Sequence, residues 1–143
     1  MNTHYSEVDN LFLSKITDDF LLSMHPEDIQ NLLDAYRFSA GIKFKKCKKI
    51  GNRNEDLRIF NEKLTDEELE ILSNLMVLEW IKPRVNSIEL LEPTMSTKDY
   101  QTFSNANHLN SLQALLKSTR NDVDRMIVSY TYSTNDLSTL GDV

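Results

Sequence analysis

The chain has 143 residues, 40% hydrophobic and 27% charged, with three glycines and three prolines, the balance of one folded domain with long elements and few turns. A lone cysteine, Cys47, excludes an intramolecular disulfide and a thiolate metal cluster within the chain. The net charge of −6 opposes the phosphate attraction that dominates nucleic-acid binding, unless basic residues are segregated.

They are segregated. Lys43, Lys45, Lys46, Lys48, Lys49, Arg53 and Arg58 face only Glu55 and Asp56 nearby, which leaves nine basic and twenty acidic residues for the rest of the chain. A bilayer span needs about 20 apolar residues, and the longest candidate, Leu69 to Ile81, is interrupted by Glu70, Ser73, Asn74 and Glu79. Residues 1–10 lack the basic flank and apolar run of a secretory signal. The expectation is a cytoplasmic product with no membrane association.

In chain order, Ser6 is positioned to cap a short helix bearing Val8, Leu11, Phe12 and Ile16 on one face. Pro26 opens a second helix, with Glu27 and Asp28 in its first turn and Ile29, Leu32, Leu33, Tyr36, Ala40 and Phe44 at helical spacing. Gly41 weakens that helix by about 1 kcal/mol relative to alanine, but the period carries through to Cys47. The stretch Lys49 to Asp56 has no apolar period and reads as an exposed loop. Thr65 and Glu68 then form a capping box, flanked by Leu64 and Leu69 as a hydrophobic staple.

The helix that follows carries Ile71, Leu72, Leu75, Met76, Leu78, Trp80 and Ile81, and is expected to stop near Pro83. Its apolar residues cover more than one face, so it is central to the core or covered by another subunit. Pro83 to Thr97 reads as an extended connection, with Ser87 to Leu91 compatible with a strand. Ser96 or Thr97 caps a further segment holding Tyr100 and Phe103. From there Leu109, Leu112, Leu116, Thr119, Val123, Met126 and Tyr130 alternate steps of three and four, the seam of a long bundle helix. The β-branched and aromatic run Ile127 to Tyr132 suggests that the chain leaves the helix as an extended segment.

The expected fold is therefore mainly α: a helical bundle on helices near Pro26–Lys46, Asp66–Lys82 and Asn105–Val128, with Leu72, Leu75, Leu112, Leu116 and Val123 in its core. Residues 1–132 form the helical domain. Residues 133–143 form an extended C-terminal arm, since Leu137, Leu140 and Val143 are too few to fold alone.

Catalytic and cofactor chemistry find no support in the sequence. His4, His25 and His108 form no metal-binding pair, no nucleophile elbow surrounds a serine or cysteine, and Gly41, Gly51 and Gly141 are too isolated for a phosphate loop. Cys47 is flanked by lysines that would lower its pKa, yet it lies on the apolar period, which favours a core residue. The expectation is a non-enzyme without cofactor or metal. The charged cluster Lys43, Lys45, Lys46, Lys48, Lys49 and Arg53 is a candidate patch for DNA or an acidic partner, or a solvated helix end.

Several strings resemble one family. The helix Leu32-Leu33-Asp34-Ala35-Tyr36 leading to Phe44-Lys45, the run Phe60-Asn61-Glu62-Lys63-Leu64 through Leu75-Met76, and Trp80 look like those of neck proteins from phages of low-GC bacteria. So do Asp99-Tyr100-Gln101-Thr102-Phe103-Ser104, Ala106-Asn107-His108-Leu109 and the closing Ser129-Tyr130-Thr131-Tyr132. Over about residues 26–132 the chain is similar to head-to-tail connector, or adaptor, proteins of tailed bacteriophages. The resemblance implies a virion neck subunit that forms a homo-oligomeric ring beneath the portal protein. Such a ring extends the DNA channel, touches packaged DNA transiently and without sequence preference, and docks the next neck or tail protein. The C-terminal arm, with Tyr130, Tyr132, Leu137, Leu140 and Val143, would grip portal and neighbouring subunits. The alternative is a small phage-encoded regulatory protein that binds a host protein or DNA through the Lys43–Lys49 cluster.

Overall fold

The computed structural model describes the backbone of residues 1–16, 21, 23–91 and 99–141, and the side chains of residues 1–16, 21, 23–86 and 109–133. The described residues are mainly helical. A short strand β1 (Thr3–His4) leads directly into α1 (Tyr5–Leu13), followed by α2 (Pro26–Lys43) and a 3-10 turn at Lys48–Gly51. Strands β2 (Arg53–Asn54) and β3 (Ile59–Phe60) come next, then the two long helices α3 (Asp66–Leu91) and α4 (Asp99–Gly141).

Three of the helix starts have a local cause. At α1 the cap is His4, not Ser6: the His4 backbone N–H donates to the Glu7 carboxylate at 2.8 Å. Pro26 occupies the first turn of α2, and the imidazole of His25 accepts the backbone N–H of Glu27 at 3.3 Å. At α3 the capping box closes both ways, with the Thr65 N–H on the Glu68 carboxylate at 2.8 Å and the Glu68 N–H on the Thr65 hydroxyl at 3.1 Å.

Helix α3 is the centre of the core. Ile71, Leu72, Ser73, Leu75, Met76, Val77, Leu78, Trp80 and Ile81 are all buried along it, and α1, α2 and α4 each pack against it. Its surplus apolar residues are thus consumed inside the subunit. From α1 come Tyr5, Val8 and Phe12, from α2 Leu33 and Ala40, and from α4 Leu109, Leu112, Val123 and Tyr130. Leu116 of the expected seam is only partly buried against the core.

The structure departs from the sequence expectation in four further places. Helix α3 does not stop at Pro83 but runs on to Leu91, so neither an extended connection over residues 83–91 nor a strand at Ser87 to Leu91 forms. A proline in a helix removes one N–H and displaces the carbonyls behind it. Here the Arg84 guanidinium reaches back to the Trp80 carbonyl at 3.1 Å and stacks over the Trp80 ring at 4.4 Å, while Val85 is anchored in the core. Residues 92–98, including the expected cap at Ser96 or Thr97, lie outside the described residues.

Second, the chain does not leave the helix at Thr131 as an extended arm. Helix α4 continues to Gly141, 43 residues that at the usual 1.5 Å rise make about 65 Å. The β-branched run costs little in a helix, and its hydroxyls are satisfied locally: Thr131 donates to the Ile127 carbonyl at 2.8 Å and Ser133 to the Tyr130 carbonyl at 3.0 Å. Third, α2 ends at Lys43 rather than running to Lys46. In its last turn, Gly41 allows a close approach of the following segment, since a Cβ there would stand 2.8 Å from Ile50 Cγ2.

Fourth, residues 49–56 are not a plain loop. They hold buried Ile50 and β2, which joins a three-stranded antiparallel sheet in the order β1-β3-β2. Thr3 pairs with Phe60 and His4 with Ile59, and on the other side Arg53 pairs with Phe60 and Asn54 with Ile59. Two-residue strands carry too little pattern to be read in advance. Truncation of the core should follow this burial map: Leu72→Ala is expected to cost about 2–5 kcal/mol in urea unfolding, and Leu116→Ala clearly less, because its side chain already keeps part of its surface in water.

Candidate functional site

Two buried polar assemblies hold the elements together, and the basic cluster lies between them. The first centres on Arg37 of α2. Its guanidinium, 7% exposed, grips the Asp9 carboxylate of α1 through Nε at 3.0 Å and Nη2 at 2.6 Å, a bidentate pair. Nη2 also reaches Asp34 at 2.8 Å, and the guanidinium lies 4.3 Å over the Tyr5 ring. Arg58 adds two bonds to Asp34, at 3.2 and 2.7 Å. Burial pushes the Asp34 carboxyl up, but the donors Arg58, Arg37 and Gln30 outweigh it and hold the group at about 2. This grip secures Arg58 in a left-handed backbone conformation, φ 56°, which is unfavourable for a residue with a side chain. The Tyr5 hydroxyl donates to Glu55 at 3.0 Å, and burial together with that carboxylate pushes it up to about 12.

The second assembly is built on Glu68. Besides closing the cap of α3, its carboxylate accepts the Tyr130 hydroxyl of α4 at 2.7 Å, the Lys49 ammonium at 3.0 Å and the Cys47 thiol at 3.2 Å. Burial raises its pKa, but the Thr65 N–H, Tyr130, Lys49 and Cys47 more than offset this and bring it down to about 2. The Cys47 thiol is driven the opposite way, to about 11, by burial and by the carboxylate beside it. It is therefore a protonated core thiol and not a lysine-activated nucleophile. The Tyr130 hydroxyl is raised too, first by burial and then by Glu68.

The basic cluster divides. Lys43 pairs with Glu79 of α3, Lys49 with Glu68, Arg53 with Glu55 at 2.7 Å, and Arg58 with Asp34. Lys45, Lys46 and Lys48 are exposed and make no ion pair among the described residues. Lys45 and Lys48, with Arg53, line a surface groove of about 420 Å³ whose apolar lining includes Phe38, Ile42 and Ile50.

Of the expected arm, Tyr130 belongs to the subunit interior: it is buried, bonded to Glu68, and edge-on to Phe44 at 5.2 Å. Tyr132 is 63% exposed. The backbone at Leu137 and Leu140 is helical, their side chains lie outside the described residues, and Val143 lies outside them altogether. His108 is likewise on α4, with its side chain outside the described residues.

Chemically, these groups hold one another in fixed protonation states. Among the described residues no cluster of three or more His, Cys, Asp or Glu is arranged to hold a metal, and no helix is long and apolar enough to cross a membrane. Every buried side-chain nitrogen and oxygen among them has a partner. The sequence reading found the Thr65–Glu68 cap and the Tyr130 position but missed that they meet, because that contact spans 62 residues.

A pH dependence follows from Glu68. Its folded pKa, about 2, lies below the ordinary 4.5, so its contribution is fully present above pH 4.5 and is lost as the pH falls towards 2. Glu68→Gln is expected to cost about 3 kcal/mol at pH 7. The gap to wild type should close in acid, as read by urea unfolding at a series of pH values. Compared with protein-family models, with curated proteins and with solved structures, the chain matches none.

Proposed function

We propose that the chain is a structural subunit of the head-to-tail connector of a tailed bacteriophage, a ring in the virion neck that links the portal protein to the next neck or tail component. The observation that carries this reading is the overrun of α4. Glu68 meets Tyr130, and Glu70 and Asn74 share a surface cleft with Asp122, Arg125 and Met126, so α3 and α4 run antiparallel. Past Ser133, α4 has cleared the start of α3 and continues as helix to Gly141. A helix that runs on past the start of α3 suits a subunit that reaches its neighbours. The resemblance in the sequence supports the same reading, with the arm helical where it was expected to be extended.

The exposed lysines favour a second reading, in which Lys45, Lys46 and Lys48 attract DNA or an acidic host protein. Either way the attraction is through charge, since no reading helix or arginine fork accompanies them.

Electron microscopy and light scattering of the purified chain, alone and with portal protein, test the first reading; rings or a portal complex are expected, and a monomer that neither self-assembles nor co-purifies with portal would overturn it. Lys45→Gln/Lys46→Gln/Lys48→Gln tests the second. Lys49 is left intact because it serves Glu68. The triple variant should fold normally and lose salt-sensitive DNA retention if the patch acts, and retention equal to wild type marks a solvated surface.

A further inference from the structure

We infer that the groove beside the lysines is a docking site for an acidic segment of another protein that presents a large apolar side chain, an inference that rests on the acidic-partner form of the second reading above. Phe38 and Ile42 stand four apart on α2, hence on one face, and each is 56% exposed. Both line the groove together with buried Ile50. Large apolar side chains held side by side in water are what a docking surface offers for burial.

The charge of the groove fixes the sign of its occupant. Lys45, Lys48 and Arg53 line it, and no aspartate or glutamate among the described residues does. Elsewhere the recesses of this subunit hold carboxylates: the cavity at Tyr5 is lined by Asp34 and Glu55 beside its arginines, and the cleft between α3 and α4 by Glu70 and Asp122. In a chain with 22 acidic and 16 basic residues, a recess of one positive sign is complementary to an acidic partner. Lys45 and Lys48 are exposed and make no ion pair among the described residues. Arg53 shares its charge with Glu55 at 2.7 Å and lies 5.4 Å over the Phe38 ring, which holds it against the apolar wall.

Nucleic acid would use only half of this surface. A phosphate backbone gains from the ammonium groups and nothing from Ile42, and one face of the Phe38 ring already carries the Arg53 guanidinium, so it is not open to stack a base. A peptide uses both halves: its carboxylates meet the lysines while its apolar side chain is withdrawn from water against Phe38 and Ile42.

Selection of a displayed random-sequence peptide library on the full-length chain tests this. Enriched peptides are expected to combine aspartate or glutamate with a large apolar residue. As synthetic peptides they should bind Ile42→Glu and Lys45→Glu/Lys48→Glu about tenfold or more weakly than wild type in isothermal titration, and the binding should weaken as salt is raised. Phe38→Ser replaces Ile42→Glu if that variant proves unfolded by circular dichroism. A loss confined to the lysine variant overturns the groove and leaves the charge attraction standing. Enriched peptides that are neutral or basic, binding indifferent to both variants, or a selection that enriches nothing overturns the inference; if DNA is then retained through the lysines the second reading stands as a nucleic-acid patch, and if it is not, that reading falls too. Self-association of wild type that Ile42→Glu abolishes would seat a second copy in the groove, which also overturns it.

Discussion

The Glu68 carboxylate is the constraint on which most of the structure depends. A carboxylate in the third position of a helix serves first to satisfy an orphaned N–H of the cap, and here the same group is buried and accepts from three further donors. Those donors come from α4, from the 3-10 turn and from the residue before it, so one side chain ties the start of the central helix to the C-terminal helix and to the end of the basic segment. Removing an ion from water is costly, and only a full set of hydrogen bonds offsets that cost. The depressed pKa of Glu68, about 2, measures how far the donors win. It also explains why Cys47, although surrounded by lysines in the sequence, is held protonated: the charge nearest to it is the carboxylate, not an ammonium.

Within α2, Arg37 plays the corresponding part. It joins α1 to α2 through Asp9 and shares Asp34 with Arg58, which carries the turn between β2 and β3. The N-terminal strand is thereby held from two sides. Its backbone pairs with β3, and Thr3 accepts the N–H of Leu64, while Tyr5 packs against Phe60 with ring centroids 4.9 Å apart. The small sheet is thus an adaptor between the chain start and the approach to α3. It is stable because its flanking side chains are buried; two-residue strands alone would not hold.

These details explain what could be read in advance. The capping box, the Pro26 start and the seam from Leu109 to Tyr130 were legible because each is a local pattern over a few residues or a sustained period. The end of α3 was not: a proline forecasts a stop, but Val85 and the Arg84–Trp80 contact keep the helix going, a tertiary effect that outweighs a local preference. The end of α4 was misread for a related reason, since the β-branched run from Ile127 favours strand only where packing is indifferent, and here Tyr130 is pinned to Glu68. The candidate patch was visible as composition, yet its internal pairings, Lys49 with Glu68 and Arg58 with Asp34, join residues 19 and 24 apart. No sequence period reports them.

The pairings also change what the positive block can do. As a string of charges it looks like a strong electrostatic footprint, but Lys43, Lys49, Arg53 and Arg58 are engaged with carboxylates of the same subunit. That leaves Lys45, Lys46 and Lys48 as its outward charge. Each neutralised phosphate contributes a slope of about −0.9 to the logarithmic salt dependence of DNA binding, so three lysines in one subunit give a weak, readily reversed attraction to DNA. Such weakness is compatible with a surface past which DNA must slide, and unsuited to a repressor that must hold one site.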